Sequence, residues 1–266
     1  MSSLRMKHQE YFFSGGIANL SLVTFENGET ATLRQIKWGK SWKLHAREQF
    51  ITGIKIRKEL GACAYIVSTL EYHAFCLRPY ELLEYIPGNS LKWLIAKRPY
   101  FVRNNYKKIV MDAALGLAHV HKKGYMHLDI KPENYIINYN DDYILDVKLT
   151  DFDLARHADV NNAKMAGTPT YMAPEQVVQK VSYQTSDVFA FGIMAYFIIS
   201  GEMPFTGDTP LRLLRNQCRE NVLAVPLDEC VKDVDKKWSN AVMRCLAKNS
   251  SQRYPTIEGF LNDIAQ

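Results

Sequence analysis

Three side chains within six residues define the chemistry open to this chain. In HLDIKPENYII, His127 to Ile137, Asp129 offers a carboxylate, Lys131 an ammonium and Asn134 an amide oxygen, in a short polar loop flanked by apolar residues. That set suits a reaction that brings together a hydroxyl nucleophile, a phosphate and a metal ion. Further on, LTDFDLA places a second carboxylate, Asp151, at the end of an apolar segment. Two carboxylates can divide the labour. One orients a hydroxyl and the other binds Mg2+ through oxygen, with Asn134 as a second metal ligand.

Loops of this kind need elements to hold them in place. The first third of the chain reads as β-rich: YFFSGGIANLSLVTFENGETATLRQIKW has short apolar stretches broken by Gly15-Gly16 and by Asn27-Gly28, a strong hairpin signal. A helix over about His45 to Leu60 puts Phe50, Ile54 and Leu60 on one face. Strands resume in AYIVSTLEYHAFCLRPYELLEYI until Pro87-Gly88 breaks them. The remainder reads as mostly helical. In YKKIVMDAALGLAHVHKKG, Ile109, Ala113, Leu117 and Val120 recur at helical spacing, and Gly124 stands where a C-terminal cap belongs. The order predicts an α+β fold with two lobes, a small β-rich one with one main helix and a larger, mainly helical one. Clefts between lobes are favoured ligand sites.

Bulk composition excludes several alternatives. A chain of 266 residues can bury a sizeable core as one large domain or two lobes. The net charge of +5 is too weak to argue for nucleic acid. Five scattered cysteines (Cys63, Cys76, Cys218, Cys230, Cys245) have no metal-ligand spacing and read as reduced cytoplasmic thiols. MSSLRMKHQEYFF lacks the pattern of a signal peptide. The most apolar run, Val188 to Ile199, is 12 residues, too short for a membrane span and suited to a buried helix. A soluble, cytoplasmic chain is expected.

On these residues the chain resembles the eukaryotic-type (Hanks-type) serine/threonine protein kinase family, as a divergent member. HLDIKPEN is similar to the catalytic loop H-R-D-x-K-x-x-N, and DFD stands where the metal-binding D-F-G belongs. GTPTYMAPE, Gly167 to Glu175, resembles the end of an activation segment. SDVFAFG resembles the buried helix that anchors the catalytic loop through Asp187, and NSSQRYP carries the Arg253 that pairs with Glu175 in this family. LLEYIPGNSL is similar to the hinge, with Leu83 as gatekeeper and Glu84 to Ile86 facing adenine. Several such motifs in family order are specific where one alone is weak.

The resemblance implies a single bilobal protein-kinase-like domain over 1–266, with an N-lobe to about 83, a hinge at about 84–90 and a C-lobe from about 91. It implies Asp129, Lys131 and Asn134 as catalytic residues, and Asn134 and Asp151 as ligands for Mg2+ (or Mn2+). Lys37, Gly15, Gly16, Ala18, Leu20, Glu84, Ile86, Ser90 and Ile136 would bind ATP, with Lys37 on the α- and β-phosphates. An exposed strand charge is the plainer reading of Lys37. Thr168 would belong to the platform for protein substrates, paired with Lys131 as in the serine/threonine branch. Glu175, Asp187 and Arg253 would be structural. Glu133 reads equally as a selector of basic residues upstream of the target or as a solvated loop acid.

Departures from the pattern are as informative. The glycine-rich loop survives only as FSGGIANL, with Phe13, Gly15 and Ala18 at the glycine positions, and Gln35 stands where a small residue covers adenine. Gly53 occupies the place of the helix Glu that binds the strand Lys. Glu48 and Glu59 lie on the far side of the helix, and Gln49 is one turn away. Lys37 is therefore expected to lean on Asp151 or on the nucleotide. Asp153 replaces a Gly, and a turn residue bonded to its own backbone is preferred over an extra acid near the metals. Leu128 replaces the Arg that receives an activation-segment phosphate, and DFDLARHADVNNAKMAG has no Ser, Thr or Tyr to carry one. Activity is thus expected to be independent of activation-loop phosphorylation. Eight Lys/Arg against one acid between Arg34 and Lys58 read as a docking face for an acidic partner or as a solvated helix face. The alternatives to an active kinase are a pseudokinase that binds nucleotide or acts as a scaffold, for which Gly53, the degraded loop and Asp153 speak, and a small-molecule phosphotransferase, which the A-P-E region disfavours.

Overall fold

The computed structural model describes residues 5–160 and 167–265. Its N-terminal part is a five-stranded antiparallel sheet in the order β1-β2-β3-β5-β4, built from β1 (Met6–Ser14), β2 (Ala18–Phe25), β3 (Thr30–Ile36), β4 (Thr69–His73) and β5 (Tyr80–Glu84). The two expected turns are both present. Gly15 donates its N–H to the Ala18 carbonyl at 2.9 Å, closing the β1–β2 hairpin. Gly28, at φ 86°, turns β2 into β3 with a backbone that side chains rarely adopt.

A short helical turn, α1 (Trp38–Ser41), leads to α2 (Leu44–Leu60), within one residue of the expected helix. Phe50 and Ile54 of α2 are fully buried against Ala18 and Ile36 on one face of the sheet. Val23, Phe25, Ala31 and Leu33 form a second cluster with Tyr80 and Leu82. Because successive strand residues point to opposite sides, β3 divides into Ala31 and Leu33 on one face and Thr32, Arg34 and Ile36 on the face toward α2.

The C-terminal part contains β6 (Gly88–Ser90), α3 (Leu91–Lys97), α4 (Pro99–Asn104), α5 (Tyr106–Lys122), β7 (Tyr125–Met126), β8 (Tyr135–Tyr139), β9 (Ile144–Leu149), β10 (Arg156–His157), α6 (Pro174–Val178), α7 (Gln184–Ser200), α8 (Pro210–Cys218), α9 (Leu227–Cys230), α10 (Lys236–Cys245) and α11 (Glu258–Ala265). Small sheets β6-β8-β9 and β7-β10 carry the loops between them. Ile109, Ala113, Leu117 and Val120 of α5 are fully buried, as their spacing predicted. The apolar run is the interior of α7, with Val188, Phe189, Phe191, Ile193 and Met194 completely inaccessible. No helix among the described residues is long and apolar enough to cross a membrane. The α+β, two-lobed expectation holds.

Candidate active site

The loop between β7 and β8 is anchored from below by a buried acid. Asp187, 1% exposed in the first turn of α7, accepts the backbone N–H of His127 at 2.7 Å and of Leu128 at 2.8 Å. It also lies 3.1 Å from His121 Nε2. Two N–H groups converging on one carboxylate hold Leu128 at φ 65°, a conformation a leucine would otherwise avoid. The Leu128 side chain is buried and lines a cavity with Thr168, Tyr171, Met172 and Ala190. His127 packs its ring 4.9 Å from that of Phe152, and burial holds its imidazole below the ordinary pKa.

Above this anchor the sequence-selected polar residues meet. Lys131 Nζ lies 2.6 Å from Asp129 Oδ2 and donates to Thr168 Oγ1 at 2.8 Å. The Thr168 hydroxyl in turn donates to Asp129 Oδ1 at 2.9 Å. Asn134 Nδ2 donates to the Asp129 carbonyl at 2.7 Å and to its Oδ2 at 3.0 Å, which leaves the Asn134 amide oxygen for another partner. Thr168 thus ties the far end of the activation segment to the catalytic loop across 39 positions. Residues 161–166 of that segment lie outside the described residues.

Asp151 sits at φ 61°, its side chain 43% exposed. Burial would raise its pKa, but Arg34, His127 and Arg57 outweigh this and hold it below the usual carboxylate range. A partly accessible, ionised carboxylate and a free amide oxygen are hard oxygen donors, and they fit Mg2+, which takes one or two protein oxygens and its remaining ligands from phosphates and water.

The cation of the strand is not the expected one. Lys37 lies one residue beyond β3, and its backbone N–H bonds the Ile17 carbonyl at 2.9 Å. Its ammonium makes no hydrogen bond or ion pair among the described residues. Arg34 stands in the site instead, 6% exposed. It pairs with Glu81 at 2.9 Å, Asp153 at 2.5 Å and Asp151 at 3.5 Å. The physical reason is parity: positions 34 and 37 differ by an odd number, so they face opposite sides of the strand. Gln35 shares the side of Leu33 and not that of Arg34, so it does not stand over the nucleotide position as expected. Burial alone would lower the Arg34 pKa, but Asp153, Glu81 and Asp151 together raise it.

Asp153 likewise departs from expectation. It is no turn residue bonded to its own backbone: its buried Oδ2 accepts from Arg34, while its buried Oδ1 has no hydrogen-bond partner. Burial pushes its carboxyl pKa up against the pull of Arg34. Gly53 faces it directly, since a Cβ on Gly53 would lie 2.7 Å from Asp153 Oδ1. Glu48 and Glu59 are exposed, as their helical offsets predicted, and Glu59 accepts from the Tyr125 hydroxyl. Arg57, also buried on α2, lies 3.7 Å from Glu81 and over the Phe152 ring. With Arg34 and Arg57 buried and Arg47 bonded to the Cys76 and Leu77 carbonyls, the basic docking face is thinner than its residue count implied.

The remaining selected residues lie around the same space. Ala18 and Leu20 share a β2 face and pair across to Ile36 and Arg34, next to the Gly15-Gly16 turn. The Glu84 carboxylate accepts from the Ser68 N–H and from Lys148, both at 2.7 Å, so its side chain is committed, and its backbone N–H donates to the Ser68 carbonyl at 3.0 Å. Ile86 follows β5. Ser90 pairs with Ile136 in the β6–β8 ladder and caps α3 by accepting from Trp93 N–H. Glu133 is bonded to Lys92 at 2.7 Å. Below, Arg253 and Glu175 form a bidentate pair at 2.9 and 3.0 Å, with Ser186 also donating to Glu175. Sequence reasoning missed Arg34, Arg57 and Glu81. No local signal marked Arg34, because β3 is buried on both faces.

The fold and this constellation define a two-lobed α+β domain whose polar cluster suits phosphoryl transfer, and comparison with known proteins specifies its family. The protein kinase domain family matches residues 14–263; the chain belongs to this family. It is 34% identical over 192 residues to the serine/threonine-protein kinase PknB of Mycolicibacterium smegmatis, a match covering 70% of this chain and 30% of that protein. A probable serine/threonine-protein kinase of Clostridium acetobutylicum is 28% identical over 227 residues, 82% of this chain and 33% of its own length. PknB of Mycobacterium tuberculosis is 30% identical over 194 residues, 71% of this chain and 30% of its own. The chain therefore spans about a third of the length of these curated relatives.

Proposed function

We propose that the chain transfers the γ-phosphoryl group of ATP, in the presence of Mg2+ (or Mn2+), to serine and threonine hydroxyls of protein substrates. One observation carries this reading: Asp129, Lys131, Asn134 and Thr168 form one hydrogen-bonded cluster, on the same loop framework as an ionised, accessible Asp151. Phosphoryl transfer depends mainly on positioning and electrostatics, and the groups it needs are present.

On this reading Asp129 orients the attacking hydroxyl and accepts its proton through Oδ1, where the Thr168 hydroxyl now donates. Lys131, between Asp129 and Thr168, steadies the γ-phosphate. Asn134 and Asp151 hold the metal, which when bound supplies charge neutralisation to the phosphates. Gly15, Gly16, Ala18 and Leu20 cover the nucleotide, Ile136 supports it from below, and the backbone from Glu84 to Ile86 meets adenine, with Ser90 at the exit of the hinge. The phosphate-holding role passes from Lys37 to Arg34. Residues 1–266 are read as one domain with the lobe boundaries given above. The free cysteines support a reducing, cytoplasmic setting. Lys43, just before α2, and Lys55 and Lys58 on it, the last bonded to the Tyr72 hydroxyl, are the exposed cations left for an acidic partner.

Activity is further proposed to need no activation-loop phosphate. Leu128 lines the cavity beneath Thr168 and Met172 with an apolar side chain where a phosphate receiver would stand. The test of the main reading is transfer from labelled ATP to a generic basic protein, with loss in Asp129→Ala expected. Nucleotide binding without transfer by the unmodified chain would leave the pseudokinase reading. Phosphatase treatment should leave the rate unchanged.

A further inference from the structure

We propose that Asp153 is the positioning residue for the strand cation Arg34, doing from the start of the activation segment what a carboxylate on α2 would otherwise do. The inference rests on the kinase reading above and names a residue that reading does not use. Arg34 is buried and cannot be left without acids. Its cross-strand neighbour Glu81 meets it at 2.9 Å, but Glu81 also faces Arg57 at 3.7 Å, so one carboxylate serves two guanidinium groups. No acid of α2 comes near: Glu48 and Glu59 are exposed, and the residue facing the site is Gly53.

Asp153 fills the gap that Gly53 leaves. Its Oδ2 pairs with Arg34 at 2.5 Å, and its Oδ1 occupies the space where any side chain at position 53 would begin, 2.7 Å from an ideal Cβ. A side chain at 53 would therefore have to displace that carboxylate, and it would also press on the backbone of Phe152 and Asp153 at 3.2 Å. The two departures from the family pattern are one arrangement, in which the acid has moved from the helix to the loop.

The arrangement also protects Asp151. With Asp153 present, Arg34 has a close partner and stays 3.5 Å from Asp151, whose side chain remains 43% exposed. Without Asp153, the nearest acid left to Arg34 besides the shared Glu81 is Asp151, and the guanidinium would compete with the metal for that carboxylate. The cation is moored to the segment bearing the metal ligand, two residues away in sequence. A shift of α2 accordingly does not unpair it.

The test compares the full chain with Asp153→Gly, Gly53→Glu and the double variant, each checked for folding by its thermal melt. Two readings are taken: kcat and KM for ATP with Mg2+, and the affinity for a fluorescent ATP analogue with Mg2+. Asp153→Gly should lower kcat/KM and nucleotide affinity by about tenfold or more. Gly53→Glu should be impaired as well, because its side chain meets Asp153. The double variant should exceed both single variants in nucleotide affinity by about threefold or more, since the acid is restored from the helix side, while the Phe152 and Asp153 backbone at 3.2 Å must still give by a few tenths of an ångström. An Asp153→Gly protein equal to the unmodified one, or a double variant as poor as the worse single, overturns the proposal. If the unmodified chain transfers no phosphate, the kinase reading fails, while nucleotide affinity across the four proteins still decides the pairing. If the double variant does not fold, Asp153→Asn decides: a change under about threefold in affinity overturns the proposal and a larger loss supports it.

Discussion

Glu175→Gln removes one charge from a buried pair while keeping its shape, and the consequence can be worked from the contacts. Arg253 is 2% exposed and spends its donors on both Glu175 oxygens and on the carbonyls of Ala247, Thr185 and Lys248. An amide in place of the carboxylate turns one acceptor into an NH2 group facing the guanidinium and leaves a full positive charge without a counter-ion. Breaking a buried pair from one side costs about 3–5 kcal/mol. For a chain of this length the unfolding entropy is roughly 0.56 kcal/mol/K, so the melting midpoint should fall by about 5–9 °C. Differential scanning calorimetry on the unmodified chain and the variant reads this directly. The Glu175→Leu/Arg253→Met double variant, with no buried charge, should lose less than Glu175→Gln alone. A fall below about 2 °C for the single variant would refute the reasoning, because it would mean that Arg253 finds a counter-charge or water elsewhere.

Other outcomes follow from the same contacts. Thr168→Val deletes the hydroxyl that bridges Lys131 and Asp129; kcat should drop by about tenfold or more with little change in melting midpoint. Leu128→Arg puts a guanidinium into the cavity under Tyr171 and Met172 with no phosphate to meet it, and should destabilise by about 2–4 kcal/mol in denaturant titration. His127 has its pKa lowered by burial, so its neutral form favours the folded state. That stability is in place above the ordinary value of about 6.5 and is lost as pH falls below it. Melting midpoints measured between about pH 7.5 and 5.5 should therefore decline less steeply in His127→Gln.

Local signals carried much of the fold. The Asn27-Gly28 turn, the spacing along α5 and the continuous apolar run of α7 each state their structure within a few residues, because turn chemistry and helical periodicity are local properties. The loop residues Asp129, Lys131 and Asn134 were legible for the same reason. The strand cation was not. β3 is buried on both faces, by Ala31 and Leu33 on one side and by Arg34 and Ile36 on the other, so apolar alternation does not reveal which parity looks toward α2. Lys37 has the expected residue type, but its three-residue offset from Arg34 puts it on the other side. The Arg34–Asp153 pair joins residues 119 positions apart, and no local pattern announces a contact of that range. Its only trace was indirect: an acid missing from α2 and another present where a glycine was expected.

The fit between Gly53 and Asp153 also bears on ancestry. While Asp153 is in place, a first substitution at position 53 drives a Cβ to 2.7 Å from a buried oxygen. If Asp153 is lost first, Arg34 keeps only a shared acid and the carboxylate at 151. Neither single step leads smoothly to an arrangement with the acid on the helix. A lineage that acquired this pair would be held in it by epistasis, and the glycine and the aspartate should be found together or not at all among its descendants.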